Sequence, residues 1–213
     1  MIRAVIFDLD NVLVAAHEWH FRALNKALQV LYKYEIPRHD HEQIYNGLPT
    51  RRKLELLIEK GDLPRDVSIA AINALKQEYT IEMIEALASP EVDKLALFEY
   101  LTNHNKKLAC VTNSIRRTAY LMLQKSGLYD FLEFLVTNED VVQAKPDPEG
   151  YLYALEQLET DGISPSEVLI VEDSDHGFAA AKASGAHVWR VTGCEEVNKD
   201  NLLREMGKYD TAD

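Results

Sequence analysis

Four short segments of the chain carry residue types that together can hold a phosphate and a metal ion. In the run AVIFDLDNVL, residues 4 to 13, Asp8 and Asp10 interrupt an otherwise apolar stretch. Side chains at i and i+2 of an extended segment share a side, so the two carboxylates face one place while Leu9 faces away. Burying acids is costly, and like charges repel unless a cation stands between them. Magnesium meets that need, because it takes oxygen ligands and commonly bridges protein carboxylates to a phosphate. Further along, ACVTNS ends in Thr112, Asn113 and Ser114, short polar side chains ahead of a helix start that suits an anion. QAKPDP puts Lys145 in a loop stiffened by prolines, and LIVEDSDHG supplies Glu172 and Asp173 as a second acidic pair. The chemistry implied is capture of a phosphate ester beside Mg2+.

These residues need a scaffold that delivers them to one edge. AVIF (4–7), KLACV (107–111), FLEFLV (131–136), VLIV (168–171) and HVWRV (187–191) read as buried strands, and plausible helices separate the later ones. That alternation predicts an α/β fold with a mostly parallel sheet, whose ligands bind beyond the carboxyl ends of its strands. The helix over SIRRTAYLMLQKSG is expected to start at a capping Ser114 and stop at Gly127, the next has Pro148 near its first turn, and a third ends at Gly185. Asp175 is expected to cap that third helix. Residues 15–88 break the rhythm. Leu24, Leu28 and Leu31 form one helical stripe, Leu54, Leu57 and Ile58 a second, and Ile72, Leu75, Tyr79, Met83 and Leu87 a third. A helical insertion at 15–88 therefore divides a core made of 1–14 and 89–213, with ASPEVD as its exit linker.

The order FDLDNVLV, VTNS, AKPDP, VEDSDHGFAAAKASGA resembles the four motifs of the haloacid dehalogenase superfamily, and closest its β-phosphoglucomutase-like branch. The resemblance implies a Rossmann-like core with an inserted all-helical cap. It implies Asp8 as the nucleophile that takes the phosphoryl group and Asp10 as the acid/base. Thr112, Asn113 and Lys145 would hold the phosphoryl oxygens, with Ser114 beside them. Asp8, the Asp10 backbone carbonyl, Glu172 and Asp173 would place Mg2+. Asn11 stands where the family usually has glycine, and Ala15 and Ala16 replace a polar pair near the cap hinge. Asn tolerates the left-handed backbone better than most residues, so the turn after Asp10 is expected to survive.

Within the insertion, His20 falls where cap-hinge histidines occur in this branch, and an exposed helix histidine is the alternative. GLPTRRKL throws Arg51, Arg52 and Lys53 out together, either to meet the substrate or as ordinary charges opening a helix. Lys76 is a further candidate substrate contact. PRHDH (37–41) reads as a solvated loop rather than a metal cluster.

Composition bounds the rest. The 213-residue chain has a formal charge of −12, which argues against broad nucleic-acid or anionic-membrane binding. No apolar run approaches the roughly 18 residues of a membrane span, and no leader-like segment precedes Ile2, so a cytoplasmic setting is expected. Cys110 and Cys194 read as reduced, buried thiols without metal-ligand spacing. The functional expectation is a Mg2+-dependent phosphatase for a small-molecule phosphate ester, a sugar phosphate by class. A phosphomutase and a catalytically degenerate binding protein are the alternatives. Substrate identity and oligomeric state are left open.

Overall fold

The computed structural model describes residues 1–45 and 48–210. Met1–Ala15 with Ala88–Asp213 form one compact unit, and Ala16–Leu87 a second. After strand β1 (Ala4–Phe7) come four helices of the second unit: α1 (His17–Tyr32), the single turn α2 (Arg38–Asp40), α3 (Thr50–Lys60) and α4 (Ile69–Leu87). The first unit resumes with α5 (Val92–Asn103), β2 (Lys107–Val111), α6 (Arg116–Lys125), β3 (Phe134–Val136) and α7 (Glu149–Glu159). It closes with β4 (Val168–Glu172), α8 (Asp175–Ala183), β5 (His187–Arg190) and α9 (Lys199–Asp210).

Among the described residues five strands run in the order β3-β2-β1-β4-β5, and every pairing is parallel. Sheets covered on both faces read as near-continuous apolar runs, and β1 and β4 are buried along their whole lengths. β1 is central, with the chain wound outward on either side of it, so its carboxyl end is the place where a doubly wound sheet opens a crevice. Register then does the positioning. Phe7 pairs with Cys110 on one side and Val171 on the other, which brings Asp8 level with Val111 and Glu172 one step later. The third strand is shorter than its sequence suggests, since Tyr129–Phe131 close a 3-10 turn before it.

Behind the turn that follows Asp10, α5 presents Lys94, which is 4% exposed. Its ammonium donates to the backbone carbonyls of Val12 (3.4 Å), Cys194 (2.9 Å) and Val197 (2.8 Å). Burial without a carboxylate in hydrogen-bonding reach pushes its pKa down.

In the helical unit Phe21, Leu24, Ala27, Leu28, Leu54, Leu57 and Ile72 share one apolar core. Leu31 and Leu87, expected in the stripes, are exposed. The face of α4 that is buried is Ile72, Lys76, Thr80 and Ile84, one position on from the Leu75–Tyr79–Met83 line. Residues 37–41 are solvated at Pro37, Arg38 and His39 as expected, but they are not a loop. Arg38–Asp40 form α2 and lead into a π-helical turn, His41–Tyr45, in which His41 is buried and stacks on Phe21 at 4.4 Å. Burial, with Lys53 adding to it, holds the His41 pKa down to about 4. Gly47 of the GLPTRRKL segment lies outside the described residues. Among the described residues no helix is long and apolar enough to cross a membrane.

Candidate active site

Asp8 leaves the end of β1 with its backbone N–H still donating to Val171 (3.0 Å), so the strand ladder fixes its direction. Leu9 is fully buried, and its carbonyl accepts from Leu13 and Val14 (3.0 Å each) to close a tight turn. Asn11 sits in that turn at φ 65°, the left-handed region that a glycine would otherwise fill. Ala16 ends the turn as the residue ahead of α1 and offers no side-chain cap, so the alanine pair supplies no hydroxyl there.

Lys145 anchors the centre. Its ammonium donates to Asp8 Oδ1 (2.6 Å), Glu172 Oε1 (2.6 Å) and the Val111 carbonyl (2.8 Å), all in the buried interior. Burial alone would lower the pKa of Lys145, but the two carboxylates outweigh it and the group is raised above the ordinary lysine value. Burial raises the pKa of Asp8 well above the carboxylate range; Lys145 offsets part of this, while Glu172, Asp10 and Asp173 reinforce it. Ligand oxygens of Asp8, Glu172 and Asp173 all lie within 4.8 Å of one another. Three carboxyl groups crowd one ammonium, and the mutual repulsion that helps raise the Asp8 pKa is what a cation would relieve, in a set made of hard oxygen donors. The residues therefore fit a divalent cation of the oxygen-seeking kind.

The Asp10 carboxylate is not part of that group, though its charge acts on Asp8. Its Oδ2 accepts from Ser114 Oγ (2.9 Å) and Thr112 Oγ1 (3.4 Å). Ser114 thus corrects an expectation, since it does not cap α6; Ile115 precedes that helix and the serine hydroxyl goes to Asp10. Asn113 reaches the lysine loop. Its Oδ1 accepts from the Lys145 N–H (3.0 Å) and its Nδ2 donates to the Lys145 carbonyl (3.3 Å). The amide thus clasps the backbone of the lysine, whose bond to Pro146 is cis. Asp175 is not the cap of α8 either: Ser174 accepts from Gly177 N–H (3.0 Å), and Asp175 pairs with Arg190.

Two residues that sequence reasoning missed complete the site. The Tyr151 hydroxyl donates to Glu172 Oε1 at 2.6 Å from the first turns of α7, holding the carboxylate against the Lys145 side. Gly177 lies so close beneath Glu172 that a β-carbon there would meet Oε1 at 2.0 Å. The only sequence signals were a tyrosine shortly after KPDP and a glycine shortly after the second acid pair.

The remaining candidates lie in the helical unit. Lys76 is buried, and its ammonium sits 3.2 Å from His20 Nδ1. Arg51 pairs with Glu55 (3.2 Å), and Arg52 with Glu55 (3.3 Å) and Glu59 (3.0 Å), on the exposed face of α3. The structure thus joins His20 to Lys76 and leaves the two arginines tied to their own helix.

Comparison with known proteins follows the same outline. The profile of the family described as haloacid dehalogenase-like hydrolase matches residues 5–191. A protein of Thermotoga maritima named phosphorylated carbohydrates phosphatase is 29% identical over 207 residues, covering 97% of this chain and 92% of its own. The β-phosphoglucomutase of Bacillus subtilis is 28% identical over 195 residues, covering 86% and 80%. Among solved structures, CbbY of Rhodobacter sphaeroides in complex with phosphate superposes with a TM-score of 0.81 at 21% identity, over 91% of this chain and 87% of that one, which shows a shared fold.

Proposed function

The chain belongs to the haloacid dehalogenase-like hydrolase family, and from that premise we propose that it is a Mg2+-dependent phosphatase of a small phosphorylated metabolite, by class a sugar phosphate, in a cytoplasmic setting. The observation that carries the reading is the junction of Asp8, Glu172 and Asp173 around an unbalanced charge, with Lys145 fixed between the first two.

Asp8 attacks the phosphorus in line with the ester oxygen, forming a new P–O bond to its carboxylate as the P–O bond to the alcohol breaks. Asp10, held by the Ser114 and Thr112 hydroxyls, gives its proton to the departing oxygen. It then takes a proton from a water whose oxygen attacks the phosphorus, releasing phosphate and restoring Asp8. Lys145 stands where it offsets negative charge on the transferring group, and the Asn113 clasp on its backbone keeps it there. Asp8, Glu172, Asp173 and the Asp10 carbonyl would hold Mg2+, which when bound supplies the positive charge that lets an anionic nucleophile meet an anionic ester. The relative named as a phosphatase of phosphorylated carbohydrates supports the substrate class.

A phosphomutase is the second reading, supported by the relative named β-phosphoglucomutase. In it the group on Asp8 returns to a second hydroxyl of the sugar instead of to water. Incubation with β-glucose 1-phosphate and a trace of the 1,6-bisphosphate, alongside a panel of phosphate esters with and without Mg2+, separates the two. Free phosphate supports hydrolysis and glucose 6-phosphate supports the mutase. In either case Asp8→Asn is expected to lower turnover by at least about a thousand-fold. Absence of Mg2+-dependent turnover across the panel overturns both readings.

A further inference from the structure

Asn11 does more than replace a glycine. Its backbone takes the left-handed turn, and its side chain reaches across the site: Nδ2 donates to Asp173 Oδ2 at 3.0 Å and to the Thr192 carbonyl at 3.3 Å. Both partners accept, which fixes the amide with its NH2 toward them. Asp173 follows directly on β4, is only partly buried, and belongs to the acid group whose ligand oxygens lie within 4.8 Å. Side-chain rotation that a carboxylate has already given up to a hydrogen bond need not be lost again when it ligates an ion.

We propose that Asn11 is a positioning residue for the cation: it engages one oxygen of Asp173, restricts the rotation of the carboxylate, and ties it to the loop at Thr192. The inference rests on the reading of Asp8, Glu172 and Asp173 as cation ligands. Hydrogen bonds to ligating carboxylates govern metal affinity because they orient the ligand before the ion arrives. A glycine at position 11 meets the same backbone requirement and makes no such bond. An aspartate also tolerates the turn, but sets a second negative charge against Asp173.

The full chain titrated with Mn2+ in the absence of substrate, with free ion counted by electron paramagnetic resonance, tests this. Asn11→Gly is expected to weaken Mn2+ binding about ten-fold, within the range seen when such outer partners are removed, and Asn11→Asp to weaken it further. The melting midpoint of the metal-free variants separates a fold effect, because a purely structural Asn11 lowers that midpoint and leaves the Mn2+ affinity at the wild-type value. Wild-type affinity in either variant overturns the proposal alone. Failure of the wild-type chain to bind Mn2+ overturns it together with the cation reading.

Discussion

Lys145 and Lys94 are both buried ammonium groups of the sheet unit, 6% and 4% exposed, and their surroundings drive them in opposite directions. Lys145 at the strand ends meets two carboxylates and one carbonyl, and its pKa rises. Lys94, behind the turn, meets three carbonyls, and its pKa falls. Carbonyl dipoles satisfy the hydrogen-bonding valence of an ammonium without balancing its charge, whereas carboxylates do both. The carbonyls around Lys94 lock loops to a helix. The carboxylates around Lys145 leave negative charge that a ligand can answer, which is the difference between a structural anchor and a site.

Substitution at the two lysines sharpens the contrast. Lys145→Met strands Asp8 and Glu172 in the interior and is expected to cost about 3–5 kcal/mol of stability, read by urea unfolding, along with loss of phosphate release. Lys94→Met orphans three carbonyls but no ion, so a smaller loss of about 1–3 kcal/mol is expected, with the acid cluster still assembled. The alkaline side separates them by sign. The lowered pKa of Lys94 means that the folded state sheds its proton before the unfolded one, so the stability gap between wild type and Lys94→Met widens as pH rises toward 10.5. The raised pKa of Lys145 keeps its contribution whole below 10.5 and loses it only above. Parallel slopes for the two variants would break the comparison. The smallest effect belongs to the helical unit, where Arg52→Ala removes solvent-exposed pairs with Glu55 and Glu59. Its melting midpoint is expected to stay within replicate scatter.

Much of the site was legible because strand-end acids and a loop lysine keep their identity wherever the backbone carries them. Asp8, Glu172, Asp173 and Lys145 were readable from type, order and position after apolar runs. Ser114 and Asn113 were readable as site residues but not in their contacts. Whether a hydroxyl caps a helix or serves Asp10, and whether an amide faces a ligand or the Lys145 backbone, depends on how loops from separate strands approach in parallel register. Tyr151 was invisible for the same reason. In the helical unit the error came from the hydrophobic criterion itself, which scores a lysine as solvent-facing and so set the stripe of α4 one position away from Lys76 and Thr80. His41 was misjudged likewise, since a charged-looking PRHDH segment conceals an imidazole that stacks on Phe21 and whose pKa is pushed down by burial.

Gly177 carries a consequence for tolerance to mutation. The space under Glu172 is set by a hydrogen atom, so even alanine must displace the carboxylate or the helix that bears it. A scan that probes only reactive side chains would pass over this position, though its margin is narrower than that of many groups with chemistry of their own.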